Sequence, residues 1–438
     1  MAGQNGVKQR RRAGTISKIE TDPSHHLAGP FGPQTPLDQQ SSRPSSPAPW
    51  NAKNKTPNPW STESRGLWQD IKSLRWVVVP TSSLKLLLIP IALWANWELL
   101  APYVGRGLPN PFAPLLFISH RVPDSSPDDP RYQKGWLDLV FIAYYIIFWS
   151  FVRQIITLHM LRPIAKWFGV KKSAKLDRFG EQGYATIYFA VMACWGLRIM
   201  SQLPTWWYRT EYFWIGNSAF IFEILFPAHF ASSPDYPHWQ MTPELKRYYL
   251  MQSAYWVQQL MVLVLGLEKP RKDYYELVAH HLVTLWLVGW SYLINLTIIG
   301  NAVYLSMDLP DVLLGFTKML NYIQYDKTKI ASFMVLVGTW TYFRHYLNLR
   351  ILYSVWTEFD LMPETSKRWS PSDGVWMVWW MKYQVFTPIL LLQFLNLFWY
   401  YLILRILVRA VTDIKATDVR SDDEDDDEPD AVEDSKKD

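Results

Sequence analysis

Four ionisable side chains lie in two consecutive apolar segments. His280 and His281 are adjacent in the first segment, and Asp308 and Asp311 are three residues apart in the second. Residues at that spacing share one helix face, and ionisable groups within a membrane indicate function by default. Imidazoles close to carboxylates are typical of acid–base or nucleophilic histidine chemistry, in which the acid orients the imidazole and stabilises its charged form.

The connection between these segments sets their relative depth. Residues 295–300 form a short turn, which makes the two helices antiparallel neighbours. From the helical rise, His280 lies roughly 20–25 Å from the turn and Asp308 roughly 10–15 Å from it. A water molecule, a substrate group or a tilt must then bridge the pairs, unless Asp311 is the acid that faces His281. Pro310 removes a helical hydrogen bond between the acids and is predicted to bend the helix there.

A second polar stripe follows in a later apolar segment. Arg344 and Asn348 are four residues apart, and His345 lies between them. Residues four apart are neighbours on a helix, so these side chains are predicted to line the same cavity and to bind substrate. Structural pairing between helices is an equally good interpretation.

Other site chemistries fit the residues less well. Two His and two Asp are plausible zinc or iron ligands by type, but membrane di-iron enzymes use several clustered histidine boxes. The chain has nine His, and six of them lie in tails, segment edges or loops. A single Cys excludes a multi-cysteine metal site, and no Gly-x-Ser-x-Gly nucleophile elbow occurs. Metal-free histidine chemistry is therefore predicted.

The elements that carry these residues are predicted to be membrane helices. The chain has 438 residues, of which 49% are hydrophobic, and polar tails hide long apolar runs in the average. Runs of this length and density are typical of membrane spans. Eight spans are predicted, at residues 84–102, 137–158, 184–203, 248–267, 276–297, 301–320, 330–355 and 378–408. The predicted fold class is an all-α polytopic membrane protein with about eight transmembrane helices.

Basic residues decide the predicted orientation. Seven Lys and Arg lie between residues 153 and 178, at the end of the second span and after it, and the later loops on that side are also basic. The positive-inside rule places these loops and both termini in the cytoplasm. Residues 212–230 are predicted to be re-entrant or interfacial, because a span there would reverse every later loop. Since the basic residues lie between spans, the net charge of +5 does not indicate nucleic-acid binding.

Four regions follow from the composition. They are a disordered Pro/Ser-rich cytoplasmic tail (1–62), an interfacial helix with the first two spans (63–176), a catalytic domain (177–412) and an acidic disordered cytoplasmic tail (413–438). Apolar residues at helical spacing from Leu67 to Val78 predict the interfacial helix. The acidic tail has thirteen Asp and Glu against four Lys and Arg, and phosphorylation of Ser421 is an alternative to a merely solvated charge run.

The residues around the four candidates form a recognisable signature. The run from His280 to Ile323 reads HHLVTLWLVGWSYLINLTIIGNAVYLSMDLPDVLLGFTKMLNYI, with RKDY before it at 271–274 and YFRHYLNLR after it at 342–350. It resembles the signature of ceramide synthases of the fungal type, the acyltransferase branch of the TLC-domain membrane proteins. The resemblance covers about residues 177–412, and Pro310 is a mild departure from it.

The resemblance implies a helical bundle that encloses a lipid cavity, where a sphingoid base is N-acylated by fatty acyl-CoA. The implied catalytic residues are His280, His281, Asp308 and Asp311. A thioester is already activated, so no metal or cofactor is expected, and Arg271 and Lys272 are expected to receive the phosphates of coenzyme A. The loop at 357–375 is implied to influence acyl-chain length.

The resemblance also implies a setting and partners. These are the endoplasmic reticulum membrane, its lipids, a small single-pass regulatory subunit, and a homo- or hetero-oligomer. The alternative from another functional class is a non-catalytic TLC protein that binds, moves or organises lipid or assists translocation. The paired histidines and acids favour the enzyme, and the absence of visible internal repeats disfavours a transporter.

Overall fold

The described part of the chain is built almost entirely from helices. The computed structural model describes residues 63–105, 107–214, 239–267, 272–362, 367–371 and 375–412. Its α-helices are α1 (Leu67–Lys72), α2 (Pro80–Val104), α3 (Ala113–Leu116), α4 (Leu137–Ile155), α5 (Arg162–Trp167), α6 (Ser173–Ser201), α7 (Pro243–Val264), α8 (Tyr274–Leu293), α9 (Thr297–Tyr322), α10 (Asp326–Trp340), α11 (Asn348–Thr357) and α12 (Met381–Val411).

Shorter elements join or follow these helices. Two π-helical segments keep long helices continuous: Ile156–Leu161 joins α4 to α5, and Thr341–Leu347 joins α10 to α11. Three 3₁₀ segments are Arg75–Val77, Thr210–Phe213 and Phe359–Leu361, and two short strands, β1 (Trp369–Ser370) and β2 (Val375–Trp376), pair antiparallel. The 3₁₀ segment Phe359–Leu361 and β1 lie in the loop that the resemblance links to acyl-chain length, and that role stays a prediction.

The structure confirms an all-α membrane protein. Each predicted span coincides with α2, α4–α5, α6, α7, α8, α9, α10–α11 or α12. Four helical runs are long and apolar enough to cross a membrane: Pro80–Tyr103, Leu137–Trp167, Ser173–Ser201 and Met381–Ala410. The chain is therefore a multi-pass membrane protein. The count of eight spans and the cytoplasmic termini stay predictions, and both tails lie outside the described residues.

The interfacial helix is shorter than its periodicity predicts. α1 ends at Lys72, and Leu74 adopts a left-handed φ of 56°. Side-chain hydrogen bonds explain this compact entry into α2. The buried carboxylate of Asp70 accepts hydrogen bonds from Ser64 at 2.7 Å and from Ser82 at 2.6 Å. Satisfying that buried carboxylate holds the chain close to α2, so a straight amphipathic helix does not continue to Val78.

Close contacts between α6, α7 and α9 form the centre of the bundle. The Asn301 amide of α9 donates to the Gly196 carbonyl of α6 at 3.3 Å. At Gly315 of α9, a Cβ atom would lie 3.0 Å from the Gln182 carbonyl. Small residues let membrane helices approach in this way. Tyr188 of α6 stacks on Tyr255 of α7, with ring centroids 3.4 Å apart, which joins the third helix to this pair.

The bundle has two chemically different ends. We call the end with the loops of Lys171, Lys272 and Lys327 the basic end. Phe168 and Tyr325 meet there, with ring centroids 6.0 Å apart, and so bring the α5–α6 and α9–α10 connections together. At this end the sequence predicts the cytoplasm.

At the opposite end of the bundle, the loop before α4 contacts the segment that leads into α7. The backbones of Tyr132 and Met241 exchange two hydrogen bonds, of 2.9 and 2.8 Å. At this end α8 and α9 are joined by a turn in which Asn295 has a φ of 63°, a left-handed conformation that Asn tolerates better than most residues. The predicted antiparallel arrangement of these two helices is thus present. The tight turn fixes the relative depth of their side chains.

Candidate functional site

A cavity of about 440 Å³ contains the predicted histidines. It lies among α4, α6, α7, α8, α9, α10 and α12, and it reaches the basic end at Gly266, Asp273 and Lys318. His280 and His281 line it together with charged and polar side chains of other helices, namely Arg153, Glu181, Gln182, Gln259, Asp311 and Arg344. The bundle therefore encloses a partly polar chamber that opens toward the positively charged end.

Both histidines are buried in α8, and a backbone hydrogen bond defines the tautomer of one of them. His281 Nδ1 lies 2.7 Å from the Leu277 carbonyl oxygen, one helical turn earlier. A carbonyl only accepts, so Nδ1 carries the proton and Nε2 of the neutral ring holds the lone pair. His280 Nδ1 has no hydrogen-bond partner within the described chain. The pair therefore offers two chemically distinct imidazoles.

Tryptophans hold the two imidazole rings in place. Trp256 of α7 contacts both, with centroids 5.5 Å from His280 and 5.5 Å from His281. Trp399 of α12 lies 5.4 Å from His280, and its indole N–H donates to Asp273 at 3.2 Å. Edge-to-face contacts of this kind restrict ring orientation. Two neighbouring helices thus fix the imidazoles of α8.

The two predicted acids have different surroundings. Asp308 is fully buried and accepts a hydrogen bond from the Gln252 amide at 2.8 Å. Gln252 in turn accepts one from the Tyr188 hydroxyl at 2.7 Å. Asp311 lines the cavity and forms an ion pair with Arg344 at 2.6 Å. Of the two acids, Asp311 is therefore the one that shares the chamber with the histidines.

Arg344 is held by several groups at once. Its guanidinium also donates to the Asn396 side chain at 2.9 Å and to the Met307 carbonyl at 2.9 Å, and it lies 4.5 Å over the Trp340 ring. The residue belongs to the π-helical segment Thr341–Leu347, a conformation often found at functional sites. These contacts aim a fixed positive charge at Asp311.

The other predicted binding residues lie elsewhere. Asn348 donates to Gln393 of α12 at 2.7 Å, and Gln393 is also hydrogen-bonded to Nδ1 of His345 at 2.8 Å. Neither Asn348 nor His345 lines the chamber. Both residues contact Gln393 of α12, as the structural interpretation expects. A role of Asn348 or His345 in substrate binding stays a prediction.

The structure describes one of the two basic residues expected to receive phosphates. Lys272 is exposed at the basic end, just before that helix, and is not part of the chamber wall. Arg271 lies outside the described residues. Binding of phosphate groups by this pair therefore also stays a prediction.

Several site residues were not predicted from the sequence. Gln393 and Asn396 are polar residues within an apolar span, a signal that points to function or interhelical pairing. Trp256 and Trp399 carry no such signal, because the chain has 24 Trp in total. Their contact with the histidines depends on how α7 and α12 pack against α8.

A second, apolar cavity of about 50 Å³ begins at His280. It is a slot between α7, α8, α9 and α12, lined by Tyr249, Trp256, His280, Thr284, Leu287, Val288, Ser291, Leu296, Ile299, Gly300, Val303, Tyr304, Met307, Val385, Ile389 and Leu392. His280 and Trp256 line both cavities. The histidine therefore stands where a polar chamber meets an apolar slot.

Among the described residues, no group of three or more His, Cys, Asp or Glu side chains is arranged to hold a metal ion. The walls of the chamber around the histidines include Trp256, Trp399 and the ion-paired Asp311.

Known proteins have sequences similar to that of this chain over most of its length. The family model described as the TLC domain matches residues 178–405. The sphingosine N-acyltransferase lac1 of Schizosaccharomyces pombe is 36% identical over 354 residues, which cover 80% of this chain and 83% of that protein.

Two further relatives carry the same kind of name. The ceramide synthase LAG1 of Saccharomyces cerevisiae is 36% identical over 72% of this chain and 71% of its own length. The ceramide synthase LOH1 of Arabidopsis thaliana is 28% identical over 68% of this chain and 94% of its own length. The chain therefore belongs to the TLC-domain family, alongside its sphingosine N-acyltransferases and ceramide synthases.

Proposed function

We propose that the protein is a ceramide synthase, which transfers a fatty acyl group from acyl-CoA to the amine of a sphingoid long-chain base. One observation carries the proposal beyond the names of the relatives: His280 stands at the junction of a polar chamber and an apolar slot. An acyl-CoA has the same division, a charged nucleotide joined to an alkyl chain by a reactive thioester.

Acyl-CoA fits the two cavities in one orientation, with its nucleotide in the chamber and its alkyl chain in the slot. Coenzyme A is anionic, and Lys318 and Arg153 line the chamber that opens at the basic end. The alkyl chain is apolar and favours the slot between α7, α8, α9 and α12. The thioester carbonyl then lies beside His280. Exposed Lys272 stands at the same end and adds positive charge near the chamber mouth.

The chemistry requires a nucleophile for the thioester and a base for the amine. In one route, a nitrogen of neutral His280 attacks the carbonyl carbon, the thiolate of coenzyme A leaves, and an acyl-imidazolium forms. The neutral amine then attacks this carbonyl, the C–N bond to His280 breaks to restore the neutral imidazole, and the amine proton passes to Nε2 of His281 and from there to the thiolate of coenzyme A. In the alternative route the amine attacks the thioester directly, with a histidine as general base. Both routes release coenzyme A and form the amide.

The acids support these steps through charge. The ion pair of Asp311 with Arg344 places a carboxylate on the chamber wall, where it stabilises an imidazolium or binds the ammonium of the incoming base. Asp308 lies deeper and is held by Gln252, so we assign it a positioning role within the same helix. A thioester needs no further activation, and we propose that the reaction uses no metal or cofactor.

The proposal extends to the setting of the protein. The multi-pass architecture and the family are consistent with the endoplasmic reticulum membrane. A small single-pass subunit and a homo- or hetero-oligomer remain predictions from the family resemblance.

An assay on the purified protein tests the function directly. The protein, with any co-purifying subunit, is incubated in detergent with sphinganine and acyl-CoAs, and ceramide and free coenzyme A are both quantified. We expect equal amounts of the two products. A well-folded preparation that yields neither product, or that releases coenzyme A with no ceramide, contradicts the proposal.

A further inference from the structure

The apolar slot runs along α8 from His280 to the opposite end of the bundle. His280, Thr284, Val288 and Ser291 follow one another along the face that lines it. The eleven-residue separation between His280 and Ser291 corresponds to roughly 16 Å of helix. The slot is thus an elongated space that begins at His280, the proposed reactive residue, and ends near Ser291.

That end is a wall built from three helices. The Tyr249 hydroxyl of α7 is hydrogen-bonded to the Ser291 hydroxyl of α8. Gly300 of α9 faces the same hydroxyl, and a Cβ atom at position 300 would overlap it. The absence of a side chain at Gly300 therefore lets Tyr249 reach Ser291. All three residues line the slot.

A buried ion pair supports the wall from behind. The Tyr249 ring stacks on Tyr292, with centroids 5.7 Å apart, and the Tyr292 hydroxyl donates to Asp138 at 2.8 Å. Asp138 pairs with Lys246 at 2.8 Å, and both side chains are almost completely buried.

Further contacts hold this ion pair to the loop before α4. The Lys246 ammonium donates to the carbonyls of Ser119 at 2.8 Å and Gln133 at 2.5 Å. Burying two charges is costly, and such pairs serve conformational specificity in some proteins. Here the pair fixes α4, α7 and α8 behind Tyr249.

We propose that the Tyr249–Ser291 wall limits the length of the fatty acyl chain that the enzyme accepts. This inference rests on the proposed function. The occupant is the acyl chain rather than the alkyl chain of the base, because charged coenzyme A must remain in the chamber. With the thioester carbonyl at His280, the acyl chain extends away from the chamber into the slot, and its terminal methyl meets Tyr249.

Two opposite substitutions test the wall. Tyr249→Ala lengthens the slot, and Ser291→Leu shortens it at the same end. Gly289→Leu is the matched control, because Gly289 lies two residues away on α8, is exposed, and has open space where a side chain would go. Each protein receives an equimolar mixture of lauroyl-, myristoyl-, palmitoyl- and stearoyl-CoA with sphinganine, a series whose extended lengths bracket the length of the slot.

The measured quantity is the ratio of long-chain to short-chain ceramide, which does not depend on the amount of folded enzyme. We expect Tyr249→Ala to raise this ratio roughly tenfold or more and Ser291→Leu to lower it by a similar factor, because one methylene group in an apolar pocket changes selectivity by at least that much. Gly289→Leu should leave the ratio at the wild-type value. If Tyr249→Ala does not accumulate, Tyr249→Phe replaces it and should raise the ratio in the same direction by a smaller factor.

The outcomes separate this inference from the proposed function. Wild-type protein that forms no ceramide contradicts the function itself. Ceramide formation with unchanged ratios in the Tyr249 and Ser291 variants overturns the wall alone. A change in preference among sphingoid bases of different length, with unchanged acyl ratios, shows that the base occupies the slot and also overturns the inference.

Discussion

At the scale of single residues, the ion pair of Asp311 and Arg344 is the most consequential contact of the site. Arg344 is buried, and its guanidinium is shared among a carboxylate, an amide and a backbone carbonyl. Removal of one partner of such a pair leaves the other charge buried without compensation. The pair therefore contributes to stability as well as to the proposed chemistry.

Arg344→Met is expected to lower the free energy of unfolding by about 3–5 kcal/mol. The double variant Arg344→Met/Asp311→Leu should recover most of that loss, since both charges are gone. Activity should stay absent in both proteins, because the carboxylate on the chamber wall is lost or unpaired. Thermal unfolding in detergent and a turnover assay measure the two effects separately. Equal stability of the single and double variants would show that the pair is not coupled.

Gln252 provides a second prediction at this scale. Its amide donates to Asp308, and its own carbonyl oxygen accepts from Tyr188. Gln252 also donates to the Tyr248 hydroxyl, so Gln252→Leu removes a hydrogen bond from three buried groups. We therefore expect a loss of about 1–3 kcal/mol in the free energy of unfolding. Tyr188→Phe in the same background should add little, because the acceptor of its hydroxyl is already absent. Additive losses would contradict the hydrogen-bonded chain.

Residue types predicted the candidate site, but the hydrogen-bond and ion-pair partners of its residues required the structure. The histidines and acids stand out because ionisable groups are rare within apolar segments. The spacing of Arg344 and Asn348 predicts one shared face, yet Arg344 lines the chamber while Asn348 pairs with Gln393. The π-helical turn at Thr341–Leu347 has more residues per turn than an α-helix. Arg344 and Asn348 nevertheless both donate to α12, at Asn396 and Gln393, so the two residues differ in their depth along the bundle.

At the scale of elements, close approach of α6 and α9 positions the acids next to α7. Gly315 makes this approach possible, since a Cβ atom there would meet Thr186 and lie 3.0 Å from the Gln182 carbonyl. The backbone carbonyl cannot move without shifting α6. The helix that carries Asp311 is therefore fixed by the small size of a residue one turn away.

Gly315→Val is expected to lower the free energy of unfolding by about 1–3 kcal/mol through overpacking. Gly289→Val in α8 is the control, because nothing lies within 4 Å of its Cβ position. Thermal unfolding of the two variants beside wild type measures the difference. Equal melting temperatures for both variants would mean that α6 and α9 are not in tight contact.

Helix ends were harder to predict than helix centres. α6 begins at Ser173, eleven residues before the predicted span at 184. The apolar signal starts late because the first turns are polar, with Arg178 and Glu181 paired at 3.1 Å. An i,i+3 ion pair stabilises a helix without any apolar residue. Hydropathy therefore locates the membrane-buried part of a helix and misses its polar extension.

Lys134, in the loop before α4, is expected to make the stability of the protein depend on pH. Burial lowers the pKa of Lys134 from 10.5 to about 8, and its ammonium donates to the Leu293 carbonyl at the end of α8. Between these two pH values the unfolded chain binds more protons at this site than the folded protein, so stability rises with pH across that window.

The melting temperature of wild type relative to Lys134→Met should therefore increase between about pH 8 and pH 10.5 and be constant below pH 7. Melting curves of both proteins across this range measure the difference. A difference that is independent of pH would show that Lys134 is not desolvated by the loop.

At the scale of the whole molecule, a polar chamber lies toward one end of the bundle and an apolar slot extends from it toward the other. The chamber reaches the basic end at Lys318, and the slot ends at Tyr249 near the opposite end. An amphipathic donor such as acyl-CoA matches this polarity, with its nucleotide toward water and its chain within the bundle.

The membrane class, the approximate helix positions and the candidate residues all followed from apolar runs and ionisable groups. The division into chamber and slot did not, because it depends on Trp256 and His280 from two helices meeting at one point. Contacts between distant segments are not encoded in local periodicity. The end of the slot likewise depends on Tyr249, Ser291 and Gly300 from three helices.

We propose that the α8 histidines catalyse acyl transfer. The most direct test measures ceramide formation from sphinganine and acyl-CoA by wild type, His280→Ala, His281→Ala and, as the control, His159→Ala, whose side chain is exposed outside the chamber. We predict that His280→Ala and His281→Ala melt like wild type but lose about 100-fold or more in turnover. His159→Ala should keep full activity. Full turnover by folded His280→Ala and His281→Ala proteins would contradict a catalytic role for these histidines.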